Sequence, residues 1–475
     1  MNISIKKFLP HCIAIILFIA AALIYFSPVL QGKVIYQSDI VQYTGMAKQQ
    51  NDFRSETGEE TYWTNSAFGG MPTYQLGAKY PNNFIKKLDL AIRFLPRPAD
   101  YLFLYFICMY ILLLVLKVDY KLAILGALAF GFTTYLIIIM GVGHNAKAHA
   151  IAYMPLVLSG IFLTFKRQYI WGFVLTTLGM GLELVANHYQ MTYYLLLLVV
   201  CIGIAYLIDA YRKKMLPHYF KSVGLMALGV LLAIGLNATN ILATKEYADT
   251  STRGKTELTI TPDGMPVENA DGLDYAYITE YSYGALESFN FIIPNFMGGG
   301  SSDPLPEDGE TVEALIKMGA SPQEANQVLQ QLPTYWGDQI FVAAPAYKGA
   351  ILIFLAVLAM FLVRGRLKWW AVAGIVLSLL LSWGKNFDWL TQFFVEYVPL
   401  YDKFRAVSSI QVLIELVVPI IAVVGLQYYF SDFSRDEKRK KALMYSGGIV
   451  GGIIILFMLL KGVFPGFDFG SPYDA

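Results

Sequence analysis

The sequence predicts an all-α, polytopic membrane protein with about eleven transmembrane helices and two large extracytoplasmic loops. Three observations carry that expectation. Of 475 residues, 56% are hydrophobic and only 15% charged, against about 25% charged in a soluble globular chain. The apolar residues stand in blocks of roughly 17–23, the length that crosses ~30 Å of hydrocarbon at ~1.5 Å per residue. The cations gather in clusters that all land on one side of the membrane once the blocks are counted.

Taken in order, the spans are expected at about 8–30, 101–117, 121–141, 150–165, 169–187, 190–208, 221–243, 347–363, 367–383, 408–430 and 442–461. The first block follows Lys6 and Lys7, as a secretory signal would. Its apolar stretch is longer than a signal core and no small-residue cleavage site follows, so it reads as a retained helix. The other clusters are Lys117 and Lys121, Lys166 and Arg167, Arg212 to Lys214, Arg364 with Arg366 and Lys368, and Arg435 with Lys438 to Lys441. Cations favour short cytoplasmic loops, so their side is the cytoplasm and the N-terminus lies there too. The extracytoplasmic side then holds 31–98, 142–149, the Asn187–Tyr189 corner, 244–346, 384–407 and the C-terminal tail.

The organisation expected is a transmembrane module over 1–243 carrying the 31–98 loop, an extracytoplasmic insertion over 244–346, and transmembrane helices over 347–475. The insertion mixes a strand-like run at Glu257–Thr261 with short helices at Glu310–Gly319 and Pro322–Gln331. The second of these opens with Ser321, Pro322 and Glu324, a helix-start pattern. Cys12, Cys108 and Cys201 all fall in or beside apolar spans, which argues against a disulfide framework. A net charge of +1 gives no call for a polyanionic partner, and no nucleic acid is expected.

The polar residues that could carry chemistry crowd the outer face. Ser38-Asp39-Ile40-Val41-Gln42-Tyr43 follows soon after the first span and puts the Asp39 carboxylate, with Gln42 beside it, at the membrane surface. Gly141 to His149 reads as a glycine-rich turn between spans, with His144, Lys147 and His149 close together. No third metal ligand stands nearby, so no metal site is expected. Lysine and protonated histidine are donors to anionic oxygen, and phosphate contact or proton handling suits them. Glu183 and Asn187 are spaced i,i+4 with His188 next, and Glu415 follows Gln411 in the same way. An ionisable group inside a span is costly unless paired or hydrated, so each is a candidate or an interhelical hydrogen bond. Lys403 and Arg405 precede the tenth span. Arg405 can hold a phosphodiester by two parallel bonds or simply reach for the interface. Tyr335-Trp336-Gly337-Asp338 leads back toward the eighth span.

Ser38-Asp39-Ile40-Val41-Gln42, Trp63 with Phe68-Gly69-Gly70-Met71-Pro72, Tyr335-Trp336-Gly337-Asp338, Tyr347-Lys348-Gly349-Ala350 and Phe404-Arg405 stand in one order along the chain. In these pieces the chain resembles the YfhO-type bacterial membrane proteins, which have a GT-C-like architecture. The resemblance implies a multi-pass protein of the bacterial inner membrane. It implies transfer of a sugar from a polyprenyl-phosphate donor to an extracytoplasmic cell-envelope polymer or lipid. Family members are usually longer, so it also implies a fragment or a short member. In GT-C enzymes the catalytic Asp commonly lies in the first extracytoplasmic loop, which makes Asp39 the expected base. Arg405, Lys403, Lys147 and His149 are then the donor-phosphate cations. Gln42, His144, Glu183, His188, Trp336, Asp338 and Glu415 are supporting residues. The resemblance singles out no certain cofactor, and a divalent cation stays open. Two rivals stand beside this reading, a secondary transporter or lipid flippase and a non-catalytic envelope assembly factor. A transporter predicts broken helices at the midplane and related halves, and the sequence shows no such symmetry.

Overall fold

The computed structural model describes residues 5–255, 260, 263–266, 272–303, 310–329, 332, 334–431 and 436–460. Over these the chain is mostly helical, and Trp63–Thr64 pairs antiparallel with Met71–Pro72 in a two-stranded sheet. Among the described residues, six helices are long and apolar enough to cross a membrane: Phe8–Tyr25, Asn145–Phe165, Tyr189–Arg212, Leu216–Leu236, Val407–Ser431 and Asp436–Leu460. The count rises to eight if two bent pairs are each one span. Ala99–Val115, Tyr169–Val185 and Ala350–Leu362 are shorter apolar helices. This is a multi-pass membrane protein.

Burial sorts the helices into a centre and a rim. The apolar windows of Asn145–Phe165 and Val407–Ser431 are 94% and 100% buried within the protein, whereas those of Phe8–Tyr25 and Asp436–Leu460 are 17% and 11% buried. An apolar helix left uncovered by protein is stable only where lipid covers it. Ile16, Ile24, Leu231, Met458 and Leu459 on the rim helices are accordingly exposed. The Asn145–Phe165 helix packs on Tyr169–Val185 and Ala99–Val115, and Val412–Ser431 packs on Ala350–Leu362 and Arg366–Ser382.

Every expected span contains a helix, but several differ in shape. The 121–141 span is broken into Tyr120–Gly131 and Thr134–Val142, bent by 45°. The helix of the 367–383 span turns by 114° after Ser382 into Gly384–Tyr397. In the 221–243 span the long helix ends at Leu236, and a second, Ala238–Asp249, follows it. The turn expected over 141–149 is much shorter. Gly143 (φ 99°) ends one helix, and Asn145 already begins the next, because only glycine takes that backbone shape without strain. Likewise Asn187 (φ 56°) lies past the end of Tyr169–Val185, so it does not share a helix face with Glu183.

Within 244–346, Glu310–Lys317 and Pro322–Leu329 are helices, the latter opened by Ser321 and Glu324 bonding each other's backbone N–H at 2.8 and 3.3 Å. The Glu257–Thr261 run lies outside the described residues except Ile260, which bridges to Pro266. Arg435 and the C-terminal tail from 461 also lie outside them.

Candidate functional site

Asp39 sits in the first turn of the Ser38–Met46 helix, where a carboxylate complements the helix dipole. The loop that carries it is pressed onto the Gly143 turn. A Cβ at Gly143 would lie 3.1 Å from the Gln37 Cβ and 3.2 Å from the Asp39 Cβ. Gln37 locks the contact by donating to the Met140 carbonyl and accepting from Asn145 Nδ2 at 3.3 Å. The result sets the His144 Nε2 3.3 Å from the Asp39 Oδ2, both side chains about half exposed. Gln42 is exposed one turn along the same helix.

Lys147 stands one turn beyond His144 and donates to the Ser409 hydroxyl at 2.9 Å, tying the two central helices at their N-terminal ends. Its ammonium lies 5.5 Å from the centre of the Tyr135 ring. His144 feels this charge: burial and Lys147 push its imidazole below the ordinary value, against the pull of Asp39. His188 is pressed further. Burial, then Lys147 and His144, push it down to about 3, and its Nδ1 is buried without a hydrogen-bond partner. Asp39, His144, Lys147 and His188 thus form one electrostatic neighbourhood.

Arg405 lies four residues before Ser409, the partner of Lys147. Its backbone carbonyl accepts from Gln190 Nε2 at 2.6 Å, two residues after His188. Its guanidinium donates to the Tyr277 hydroxyl at 2.6 Å and lies 5.0 Å over the Tyr277 ring. The fork is exposed and held by an aromatic of the 244–346 segment. Lys403 is 3.1 Å from Asp402.

Other expected residues stand apart. His149 lies inside the helix, and its Nε2 donates to the wholly buried Asp89 at 2.5 Å. Arg93 also pairs with Asp89 at 3.0 Å and with Asp100 at 2.8 Å, and Tyr153 donates to Asp89 at 3.1 Å. Burial works against the Asp89 charge, but His149 and Arg93 win and hold the carboxyl well below the usual range. Glu415 forms a fully buried ion pair with Lys348, whose ammonium sits 4.1 Å from the centre of the Phe291 ring. Glu183 accepts from the Thr192 hydroxyl at 2.9 Å on both oxygens. Trp336 and Asp338 belong to the framework of the 244–346 segment. The Trp336 backbone N–H donates to the Met297 carbonyl at 2.9 Å, and Asp338 accepts from Asn386 at 2.8 Å.

Sequence reasoning passed over Asp89, Arg93, Asp100, Ser409, Tyr277 and Glu287. The i,i+4 spacing of Asp89 and Arg93, on a short helix with an apolar face, is the one signal that pointed to any of them. Among the described residues, no group of three or more His, Cys, Asp and Glu is placed to hold a metal ion. No protein-family model matches the chain, and no curated protein or solved structure matches it.

Proposed function

We propose that the chain is a GT-C-like, YfhO-type membrane glycosyltransferase that moves a sugar from a polyprenyl-phosphate donor to an extracytoplasmic cell-envelope acceptor. The observation that carries the reading is the seating of the Asp39 carboxylate against His144, with Lys147 and Arg405 on the same face. On this reading the three shorter apolar helices and both bent pairs also cross, eleven spans in all, with the N-terminus in the cytoplasm of a bacterial inner membrane.

The donor's leaving group is an anionic phosphate, which needs cations more than a general acid. Arg405 and Lys147 hold it, Arg405 by its planar fork. Asp39 takes the proton of the acceptor hydroxyl as that oxygen bonds the anomeric carbon. The bond from that carbon to the phosphate oxygen breaks, and polyprenyl phosphate leaves with the electron pair. His144, 3.3 Å away, orients the carboxylate. Unlike glycoside hydrolysis, the reaction asks for no paired second carboxylate. The isoprenoid tail lies in lipid or between rim helices.

The test is an in vitro assay of the purified chain in lipid, with polyprenyl-phosphate sugars and cell-envelope acceptors. Transfer by wild type and its loss in Asp39→Asn support the proposal. Donor-independent lipid movement with no transfer turns it toward a flippase.

A further inference from the structure

The opposite end of the bundle holds a cavity of about 280 Å³. It opens where the Asn145–Phe165 and Tyr189–Arg212 helices end and where Leu216–Leu236 and Arg366–Ser382 begin. The Asn145–Phe165 helix has 21 residues, so roughly 30 Å separates this cavity from the Lys147 end.

In the sequence these cations serve only as marks of topology. Folding brings Lys166, Arg167, Lys213 and Arg366 around one cavity that contains a single carboxylate, Asp209. That carboxylate is already taken, by Lys213 at 2.8 Å and Arg366 at 2.6 Å. Lys166 and Arg167 have no carboxylate partner among the described residues. The Lys166 ammonium donates to the Val115 carbonyl. Burial, then Lys117 and Arg366, hold it below its ordinary value, so positive charge here is in excess of its counter-charge.

The floor is aromatic. Phe165 stacks on Tyr206 with ring centres 4.2 Å apart, and the Arg366 guanidinium lies 4.0 Å over the same Tyr206 ring. His218 braces the wall: its Nε2 donates to the Phe165 carbonyl at 3.1 Å, so its Nδ1 accepts from the Tyr169 hydroxyl at 2.8 Å. Cations that merely mark a membrane side stand apart in water. Here they close around a cavity, and desolvating an ammonium is costly unless an anion offsets it.

We propose that this cavity binds a phosphate group, presented by the headgroup of an anionic lipid in the leaflet opposite the candidate site. Arg167 and Lys166 meet its charged oxygens, and the Phe165–Tyr206 stack takes the apolar part of the lipid beside it. The proposal does not depend on glycosyl transfer.

The test is native mass spectrometry of the full chain with phosphatidylglycerol or phosphatidylcholine, with inorganic phosphate as competitor. Wild type should retain phosphatidylglycerol in preference. Lys166→Gln with Arg167→Gln should bind it about thirtyfold more weakly, and Arg167→Gln alone, at an exposed position, about fivefold. Lys440→Gln with Lys441→Gln removes equal charge from another cluster and should change nothing. Failure of millimolar inorganic phosphate to displace the lipid marks the headgroup as the source, and displacement marks free phosphate. Equal retention of both lipids, full binding by the Lys166 and Arg167 variants, or equal loss in the Lys440 and Lys441 variant overturns the proposal.

Discussion

At the scale of single residues, Asp39 and Glu183 are the two carboxylates that compete for the role of base. Asp39 is half exposed and faces a histidine, whereas Glu183 is buried and bonded by Thr192 on both oxygens. Asp39→Asn keeps size and much of the hydrogen bonding but cannot take a proton. Transfer should fall by about 10²–10⁴-fold with donor binding intact, while Glu183→Gln should keep transfer. A dead Glu183→Gln beside an active Asp39→Asn reverses the assignment. Arg405 gives a second residue-level test. Its fork is set by the Tyr277 ring and hydroxyl, and a lysine cannot stack or fork in that way. Arg405→Lys should therefore weaken donor binding by about tenfold or more in a titration; unchanged affinity means the cation only reaches for the interface. Glu287 tests pH. Its oxygens accept from Tyr335 at 2.6 Å, Gln339 at 2.7 Å and the Gly284 N–H at 3.0 Å, yet burial outweighs them and raises its carboxyl from 4.5 to about 7. A raised folded value means the stabilisation is complete below 4.5 and is lost as pH rises through 7. The thermal midpoint should fall between those pH values. Glu287→Gln should flatten that slope, and an unchanged slope assigns it to another group.

At the scale of elements, the site is held by the closeness of the Asn145–Phe165 and Tyr169–Val185 helices. A Cβ at Gly160 would lie 2.4 Å from the Thr176 backbone nitrogen, and one at Gly172 would lie 2.5 Å from that of Thr164. Backbone cannot step aside as a side-chain tip can, so these small residues let two apolar helices touch where lipid offers no hydrophobic drive to associate. Gly172→Leu should cost about 1–3 kcal/mol or more, read as a lower thermal midpoint and weaker monodispersity in detergent. Gly224→Leu is the control, since nothing lies within 4 Å of a Cβ there. Equal loss in both variants would mean that leucine harms these helices for reasons unrelated to packing.

At the scale of the molecule, the two ends of the bundle differ in character. One end joins Asp39, His144, Lys147 and Ser409. The other joins Arg366 to Asp209, Lys166 to the Val115 carbonyl, and Gln427 to the Lys117 carbonyl at 2.8 Å. Cysteine labelling from either side should place 31–98 and 244–346 outside and 209–220 and 431–441 inside, following the cationic clusters. Labelling of 244–346 from the cytoplasm would part Arg405's partner Tyr277 from the outer face and dismantle the proposed site.

The sequence by itself determined the membrane character, where each apolar helix lies, and which helix ends carry cations. These follow from transfer free energies that act residue by residue along a stretch of chain. It also marked Asp39, His144, Lys147 and Arg405 as residues expected on one face. Only the tertiary structure decided which charges spend themselves on one another. His149 finds Asp89 across 60 residues, Lys348 finds Glu415 across 67, and Lys147 finds Ser409 across 262. Helix breaks moved others: the short turn at Gly143 placed His149 within a helix and left His144 free to meet Asp39. Pairing inside a low-dielectric bundle depends on which helix faces which and at what height, and helix packing between distant segments sets both.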